Sequence, residues 1–284
     1  VSAAALDHVG LCTDQPEALW AAYERLGFTL TPVARQSGPR SPGGPVERLG
    51  TGNRCAMLRH GYVELLGILD PALSDNGLGR FIARYRGLHI LAFGVSNAVA
   101  ELPRLRRAGL DIPAVAPLQR PVDDSAPDGP IARFSRLPVP DAPEGRLQLI
   151  EHHTPGLLWQ ERWMTHPNRA VALDAAILAS PAPAETAARL SRLTGAVLEP
   201  DPAGGYALPL PQGRVRILPA EALDSVLPGV EPPMLPFMAG FVLRTDDGGT
   251  AATRILQGLD TRAAPGGLMV PPALAGGAAL VFAA

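Results

Sequence analysis

Cysteine, charge and aromatic residues are all scarce in this chain of 284 residues, and each scarcity excludes something. The two cysteines, Cys12 and Cys55, are too few for a disulfide framework, and both fall in segments that read as strands. They are expected to be buried small hydrophobes rather than a bridge or a nucleophile. Charged residues make up only 18%, and 25 basic residues against 27 acidic ones leave a formal net charge of −2. That balance gives no field for steering nucleic acid or an anionic membrane, and no basic run with interleaved aromatics appears. No hydrophobic stretch approaches the roughly 18–20 residues of a membrane-spanning helix. The first residues, VSAAALDHVG, enter a strand almost at once and lack a basic segment followed by an apolar one, so a cytoplasmic, reducing location is expected. A P-loop, a dinucleotide fingerprint, a Ser–His–Asp pattern and a CxxC pair are all missing.

What is present is hydrophobic matter, at 46%, and repetition. One phrase occurs four times. The first copy runs LDHVGLCTDQPEALWAAYERLGFTL and closes with HGYVELLGI. The second opens GLHILAFGVSNAVAELPRLRRAGLDI and closes with EGRLQLIEH. The third opens VALDAAILASPAPAETAARLSRLTGAVL and closes with QGRVRILPA. The fourth opens AGFVLRTDDGGTAATRILQGLDTRAA and closes with GGAALVFAA. Each reads as strand, helix, strand and a Gly-led closing strand, a βαβββ unit. In the first copy Leu19, Ala22, Tyr23 and Leu26 fall at helical spacing before Gly27, with Thr13 or Asp14 as N-cap, and Phe28–Thr31 resumes as a strand. Gln36–Pro45 reads as loop on composition. A short helix is expected over 78–85, and a long loop near 115–130.

A βαβββ unit leaves an apolar sheet face and open edges, so it needs a partner. The expected fold is therefore α+β, with four modules paired into two cup-like half-barrel sheets. The expected domains are 1–153, a linker over 154–169, and 170–284.

Register within the repeat singles out polar residues at strand positions that are otherwise apolar. His8 and His89 lie on the two opening strands of the first half. Aligning the closing strands on Gly61, Gly145, Gly213 and Gly277 puts Glu64, Gln148, Arg216 and Leu280 in one column. Paired about a twofold axis, His8, Glu64, His89 and Gln148 would converge inside one cup. Two imidazoles, a carboxylate and an amide oxygen suit a divalent ion such as Zn, Mn, Fe, Ni or Co, and the ligand types alone do not choose among them. The alternative is a polar pocket that holds no metal. The second half offers Ala175, Gly240, Arg216 and Leu280 at these places and is expected to hold no metal; Arg216 is its one possible anion contact. Arg54 and Arg133 are candidates for binding a substrate carboxylate. His152 and His153 read as a solvated strand end, His166 as part of a turn, and Trp159 and Trp163 as one face of a linker helix.

These phrases resemble the vicinal oxygen chelate superfamily. LDHVGL, GYVELL and LHI carry the likeness, and GTGNRCAML and HPNRAVALD bring it nearest to the bacterial glyoxalase-like domain proteins. The superfamily includes glyoxalase I, methylmalonyl-CoA epimerase, bleomycin-resistance proteins and extradiol dioxygenases. The resemblance implies a divalent-metal-dependent lyase or isomerase acting on a small oxygenated molecule, with His8, Glu64, His89 and Gln148 as ligands and Glu64 as base. The fourth position is a departure, because glutamine stands where glyoxalase I has a basic glutamate, and glutamine cannot take a proton. Two other readings belong to the same superfamily: a ring-cleaving dioxygenase, and a non-catalytic protein that sequesters a small molecule. The only expected partner is that small molecule.

Overall fold

The computed structural model describes residues 4–39, 44–126 and 128–284. Each copy of the repeat forms one βαβββ module. The first comprises β1 (Ala5–Thr13), α1 (Pro16–Arg25), β2 (Ala34–Pro39), β3 (Val46–Met57) and β4 (Tyr62–Ile68). A short helix, α2 (Gly79–Ile82), leads to the second module of β5 (Gly87–Gly94), α3 (Ala98–Arg107), β6 (Ala116–Pro121), β7 (Ile131–Pro138) and β8 (Arg146–His152). After a 3-10 turn and α4 (Glu161–Met164) comes the third, with β9 (Ala170–Ser180), α5 (Pro183–Thr194), β10 (Glu199–Pro200), β11 (Tyr206–Pro209) and β12 (Arg214–Pro219). The fourth holds β13 (Phe237–Thr245), α6 (Thr250–Ile255), β14 (Arg262–Ala264), β15 (Gly267–Val270) and β16 (Ala279–Ala283).

Modules one and two close into a ring of eight strands, in the order β1-β4-β3-β2-β6-β7-β8-β5, with β5 returning to pair antiparallel with β1. Modules three and four make the second cup about the antiparallel β9–β13 pair. Among the described residues the cups share one sheet pairing, Met238 to Leu88, and a bridge between His60 and Ala172, with backbone bonds from Ala4 to Thr194 and Leu6 to Gln212 beside them. A core of buried aliphatic side chains runs through both, with Leu6, Val9 and Leu11 of β1 in the same cluster as Leu173, Ala176 and Leu178 of β9. Among the described residues no helix is long and apolar enough to cross a membrane.

Local chemistry accounts for most of the elements. The apolar stripe of α1 buries Leu19, Trp20 and Tyr23, each contributing roughly 1.5–3 kcal/mol. Gly27, at φ 83°, ends that helix in the left-handed region. The N-cap is Gln15 rather than Thr13 or Asp14; Thr13 Oγ1 accepts the Gln15 N–H instead, and Asp14 pairs with Arg86.

Four expectations shift. Phe28–Thr31 is not a strand: Pro32 follows it, and only Thr31 is tied to the sheet, through two bonds to Cys55. The polar stretch expected as loop from Gln36 is strand as far as Pro39, and residues 40–43 lie outside the described residues. The long loop near 115–130 contains β6, whose partner β7 supplies its hydrogen bonds. Trp159 lies ahead of α4 and so does not share a helix face with Trp163; both pack on the apolar cluster around Tyr62 and Phe134.

Candidate active site

The cavity of the first cup is organised by a bulge. On β1, Leu6 pairs with Phe93 and His8 with Ala92, so Asp7 is an extra residue facing one position of β5. A bulge brings two successive side chains towards one side. Asp7 and His8 accordingly bond to each other, Nδ1 of His8 lying 2.6 Å from Oδ1. An ionised carboxylate only accepts, so Nδ1 donates, and in the neutral ring Nε2 carries its lone pair away from Asp7. Nε2 lies 4.0 Å from Oε2 of Glu64, and the ring stacks on Tyr62 at 4.4 Å. Burial alone would raise the Asp7 carboxyl. The charges and hydrogen bonds of His152 and His8 outweigh it and hold the group well below its ordinary range.

β4 lies parallel to β1 and places Glu64 beside Gly10, where Oε1 accepts a hydrogen bond from Nδ2 of Asn53. A Cβ on Gly10 would come 2.8 Å from Cβ of Ile90, so glycine is what lets the two opening strands cross this closely. From the second module, Ile90, Arg146 and Gln148 line the same cavity. Its volume is about 30 Å³, room for two waters or so.

Pair registers define the twofold relation. His8 stands beside Tyr62 and Gly10 beside Glu64; Ile90 stands beside Arg146 and Ala92 beside Gln148. The antiparallel pairs His8–Ala92 and Gly10–Ile90 close the set. The equivalent of His8 is therefore Ile90, and Glu64 matches Gln148 as expected. His89 is the extra residue of a second bulge, between Leu88 and Ile90, and is the counterpart of Asp7.

His89 consequently leaves the cavity, which corrects the expectation that four residues meet there. A one-residue slip turns a strand side chain to the other face. Nε2 of His89 donates to the Tyr85 carbonyl at 2.7 Å, and the ring stacks on Tyr85 at 3.9 Å. Burial pushes its pKa down to about 4.

The same register in the second half puts Ala175, Arg216, Gly240 and Val281 at the equivalent places, so Val281 and not Leu280 belongs in the Glu64 column. Both oxygens of Asp201 accept from Arg216 at 2.7 Å, so Arg216 is already engaged.

The other expected substrate contacts also lie elsewhere. Arg54 donates to Glu24 and to the Thr31 carbonyl, each at 2.8 Å, on the outside of the cup. Arg133 is exposed and lines a separate surface hollow with Ser135 and His153. Three arginines not singled out from the sequence line the cavity instead: Arg120, Arg136 and Arg146. Alternation carried the signal, since Phe134 and Arg136 share a face of β7, and Arg146 shares one with Gln148.

His152 was missed for a related reason. Two positions beyond Ile150 on the cavity face of β8, it is no solvated strand end; its Nε2 lies 3.1 Å from each Asp7 oxygen. Glu151, on the opposite face, accepts the Ala98 N–H at the start of α3. His166 ties the linker down, Nε2 donating to the Met57 carbonyl and Nδ1 accepting the Thr29 N–H.

The donor set does not fit the metal site expected. His8, Glu64 and the amide of Gln148 face the cavity, but the fourth place is the hydrocarbon of Ile90, and three guanidiniums share the lining. Among the described residues no three of His, Cys, Asp and Glu are gathered as a metal would need. Covalent chemistry is also restricted. All 25 basic residues are arginine, so no lysine can form a Schiff base. Burial pushes the thiols of Cys12 and Cys55 up to about 12, which leaves them unreactive.

Comparison with known proteins places this geometry. A family profile described as "Glyoxalase-like domain" matches residues 6–194. No curated protein matches. Among solved structures, a hypothetical protein from Staphylococcus aureus superposes with a TM-score of 0.66 at 12% identity, covering 98% of each chain. A mutant 4-hydroxymandelate synthase from Streptomyces coelicolor gives 0.53 at 13% identity, over 90% of this chain and 75% of that one. A catechol 2,3-dioxygenase gives 0.53 at 16% identity, over 100% of this chain and 88% of that one. At such identities the likeness concerns the fold.

Proposed function

Because the chain belongs to the glyoxalase-like domain family, we propose that its first cup is an enzyme active site that moves a proton on a small oxygen-rich molecule. Glu64 is the base, and His8 serves the oxygen of the same substrate. The observation carrying this reading is the pair itself: Nε2 of His8 and Oε2 of Glu64 face each other at 4.0 Å in the lining of one small cavity. Each is held from behind, His8 by Asp7 and Glu64 by Asn53. A small substrate between them has a proton acceptor on one side and an imidazole on the other. That arrangement suits an isomerase or lyase step next to a carbonyl: Glu64 takes the C–H proton, the Nε2 lone pair of His8 accepts from a substrate hydroxyl, and the guanidiniums of the lining stabilise the resulting oxyanion. This chain's own residues supply such a step without a resident metal.

A ring-cleaving dioxygenase is less well supported, because among the described residues no two imidazoles and a carboxylate are arranged to hold a metal: Asp7, His8 and His152 are bonded to one another instead. A non-catalytic binding role would use the same cavity, and its narrowness favours it as the second reading.

The test is solvent exchange. A set of 2-hydroxy and 2-oxo acids is incubated with the protein in D₂O, and C–H loss is followed by proton NMR. Exchange should be found, and Glu64→Gln should lower it by about 10²–10⁴-fold. Binding without exchange would leave the sequestering role. Exchange unchanged in Glu64→Gln would refute the assignment of the base.

A further inference from the structure

The two walls of the cavity are related by the twofold but opposite in charge. In the first module Asn53 lies on β3 opposite Leu66, next to the Cys55–Glu64 pair. In the second module Arg136 lies on β7 opposite Ile150, next to the Pro138–Gln148 pair. Arg136 is therefore the counterpart of Asn53, Gln148 of Glu64, and Arg146 of Tyr62. Where the first module sets an amide against a carboxylate, the second sets a guanidinium against an amide.

The first pair is joined by a hydrogen bond and the second is not, although Oδ1 of Asn53 is itself buried without a partner. Nδ2 of Asn53 donates to Glu64. Nε of Arg136 and Oε1 of Gln148 are buried without a hydrogen-bond partner. No side-chain hydrogen bond or ion pair ties Arg136 to any described residue. Arg146 makes one bond, to the Asn76 carbonyl, and lies over the Phe81 ring at 5.5 Å. Arg120 reaches only the Cys55 sulfur, at 3.9 Å, and lies over the Phe134 ring at 5.9 Å. Glu64 is the one carboxylate against these three cations in the lining. Burial, together with the repelling charge of Arg146, pushes Arg136 down to about 10. Arg120 is buried and Arg136 and Arg146 are half-buried, and drawing cations out of water without counter-charge is costly, a cost that an anionic ligand would offset.

We propose that the second-module wall is a carboxylate subsite: Arg136 and Arg146, with Arg120 beside them, bind the carboxylate of the substrate and present its adjoining carbon to Glu64 and His8 across the cavity. This rests on reading the first cup as the working site and names the substrate class, a small 2-hydroxy or 2-oxo acid. A planar carboxylate matches the guanidinium fork. Gln148 donates to the same anion through its amide nitrogen.

Calorimetric titration of the full chain in EDTA tests this, with glycolate as the minimal hydroxy acid, glycolamide as its uncharged counterpart, and inorganic phosphate. Glycolate should bind at least tenfold more tightly than glycolamide and than phosphate. Arg136→Gln and Arg146→Gln should each weaken glycolate at least tenfold with unchanged circular dichroism. Arg136→Gln removes a half-buried charge without a protein partner, so the variant should fold at least as well as the wild type; should it not fold, Arg146→Gln decides. Equal affinity for glycolate and glycolamide, no binding of glycolate, or full affinity in the folded arginine variants would overturn the subsite. Tighter binding of phosphate would overturn the carboxylate class. Glycolate binding without solvent exchange on any acid would sink the proton-transfer reading while leaving the subsite standing. Exchange on a neutral substrate without glycolate binding would do the reverse.

Discussion

Asp7 and His152 lie at opposite ends of the first half of the chain, yet Nε2 of His152 stands 3.1 Å from both oxygens of the Asp7 carboxylate. The same carboxylate holds Nδ1 of His8. One acid therefore fixes two imidazoles, one aimed into the cavity and one closing its end against Tyr62, Phe134 and Trp159.

Asp7→Asn should cost about 3–5 kcal/mol at pH 7, the range for removing one partner from a buried charged network. The folded carboxyl is held below its ordinary value of 3.8, so the stability it contributes is complete above that value. That stability drains away as pH falls through the lower folded value. Urea unfolding at pH 7 and at pH 3 should show a smaller gap between wild type and variant at pH 3. A gap that does not change with pH would mean that Asp7 is not held as the anion.

His89 should matter for stability and not for chemistry. Its folded pKa is about 4 against 6.5 for the free side chain. Between those values the unfolded chain binds a proton that the folded chain refuses, so stability should fall as pH drops from 6.5 to 4. At about 1.4 kcal/mol per pKa unit the loss approaches 3 kcal/mol. His89→Leu should flatten that slope in unfolding curves and leave glycolate binding within twofold of wild type. Loss of binding in a folded His89→Leu protein would return His89 to the site.

Arg136→Met should raise stability in the absence of ligand. Replacing a half-buried cation that has no protein partner with an apolar side chain of similar length removes part of a desolvation cost. A thermal melt should move up by several degrees. A melt that moves down would show that Arg136 has a protein partner, and would remove the ground for the carboxylate subsite.

The fold was legible because a repeat states its own architecture. Gly27, the buried face of α1 and the Gly-led closing strands each encode one module, and four modules can satisfy their sheet edges only in pairs. Half of the site was legible too, since His8 and Glu64 break the apolar alternation of β1 and β4. What could not be read was register. Asp7 and His89 are each one residue too many for their strand, and a bulge leaves no mark in hydropathy. Counting along LHI without it puts His89 where Ile90 belongs. The arginines were overlooked because charge in a strand reads as a solvated face, and Arg136 reveals its burial only once β6 and β7 are seen to close the ring.

The register correction carries its own test in Ile90→His. If Ile90 is the twofold counterpart of His8, the substitution puts a second imidazole on the cavity face, facing His8, Glu64 and Gln148 across the Gly10 crossing. Two imidazoles, a carboxylate and an amide oxygen are a donor set that takes a divalent ion. The variant should bind Zn²⁺ or Ni²⁺ with one-to-one stoichiometry under conditions where the wild type does not. Metal at a hundredfold excess over its dissociation constant should add about 2.7 kcal/mol to its stability. The adjacent Arg146 charge opposes a dication, so Arg146→Gln in the same chain should tighten the metal further. His89→Ala in that background should change nothing, because His89 lies on the other face, stacked on Tyr85. Metal binding that depends on His89 and ignores Ile90→His would restore the first alignment and overturn the one derived from strand pairing.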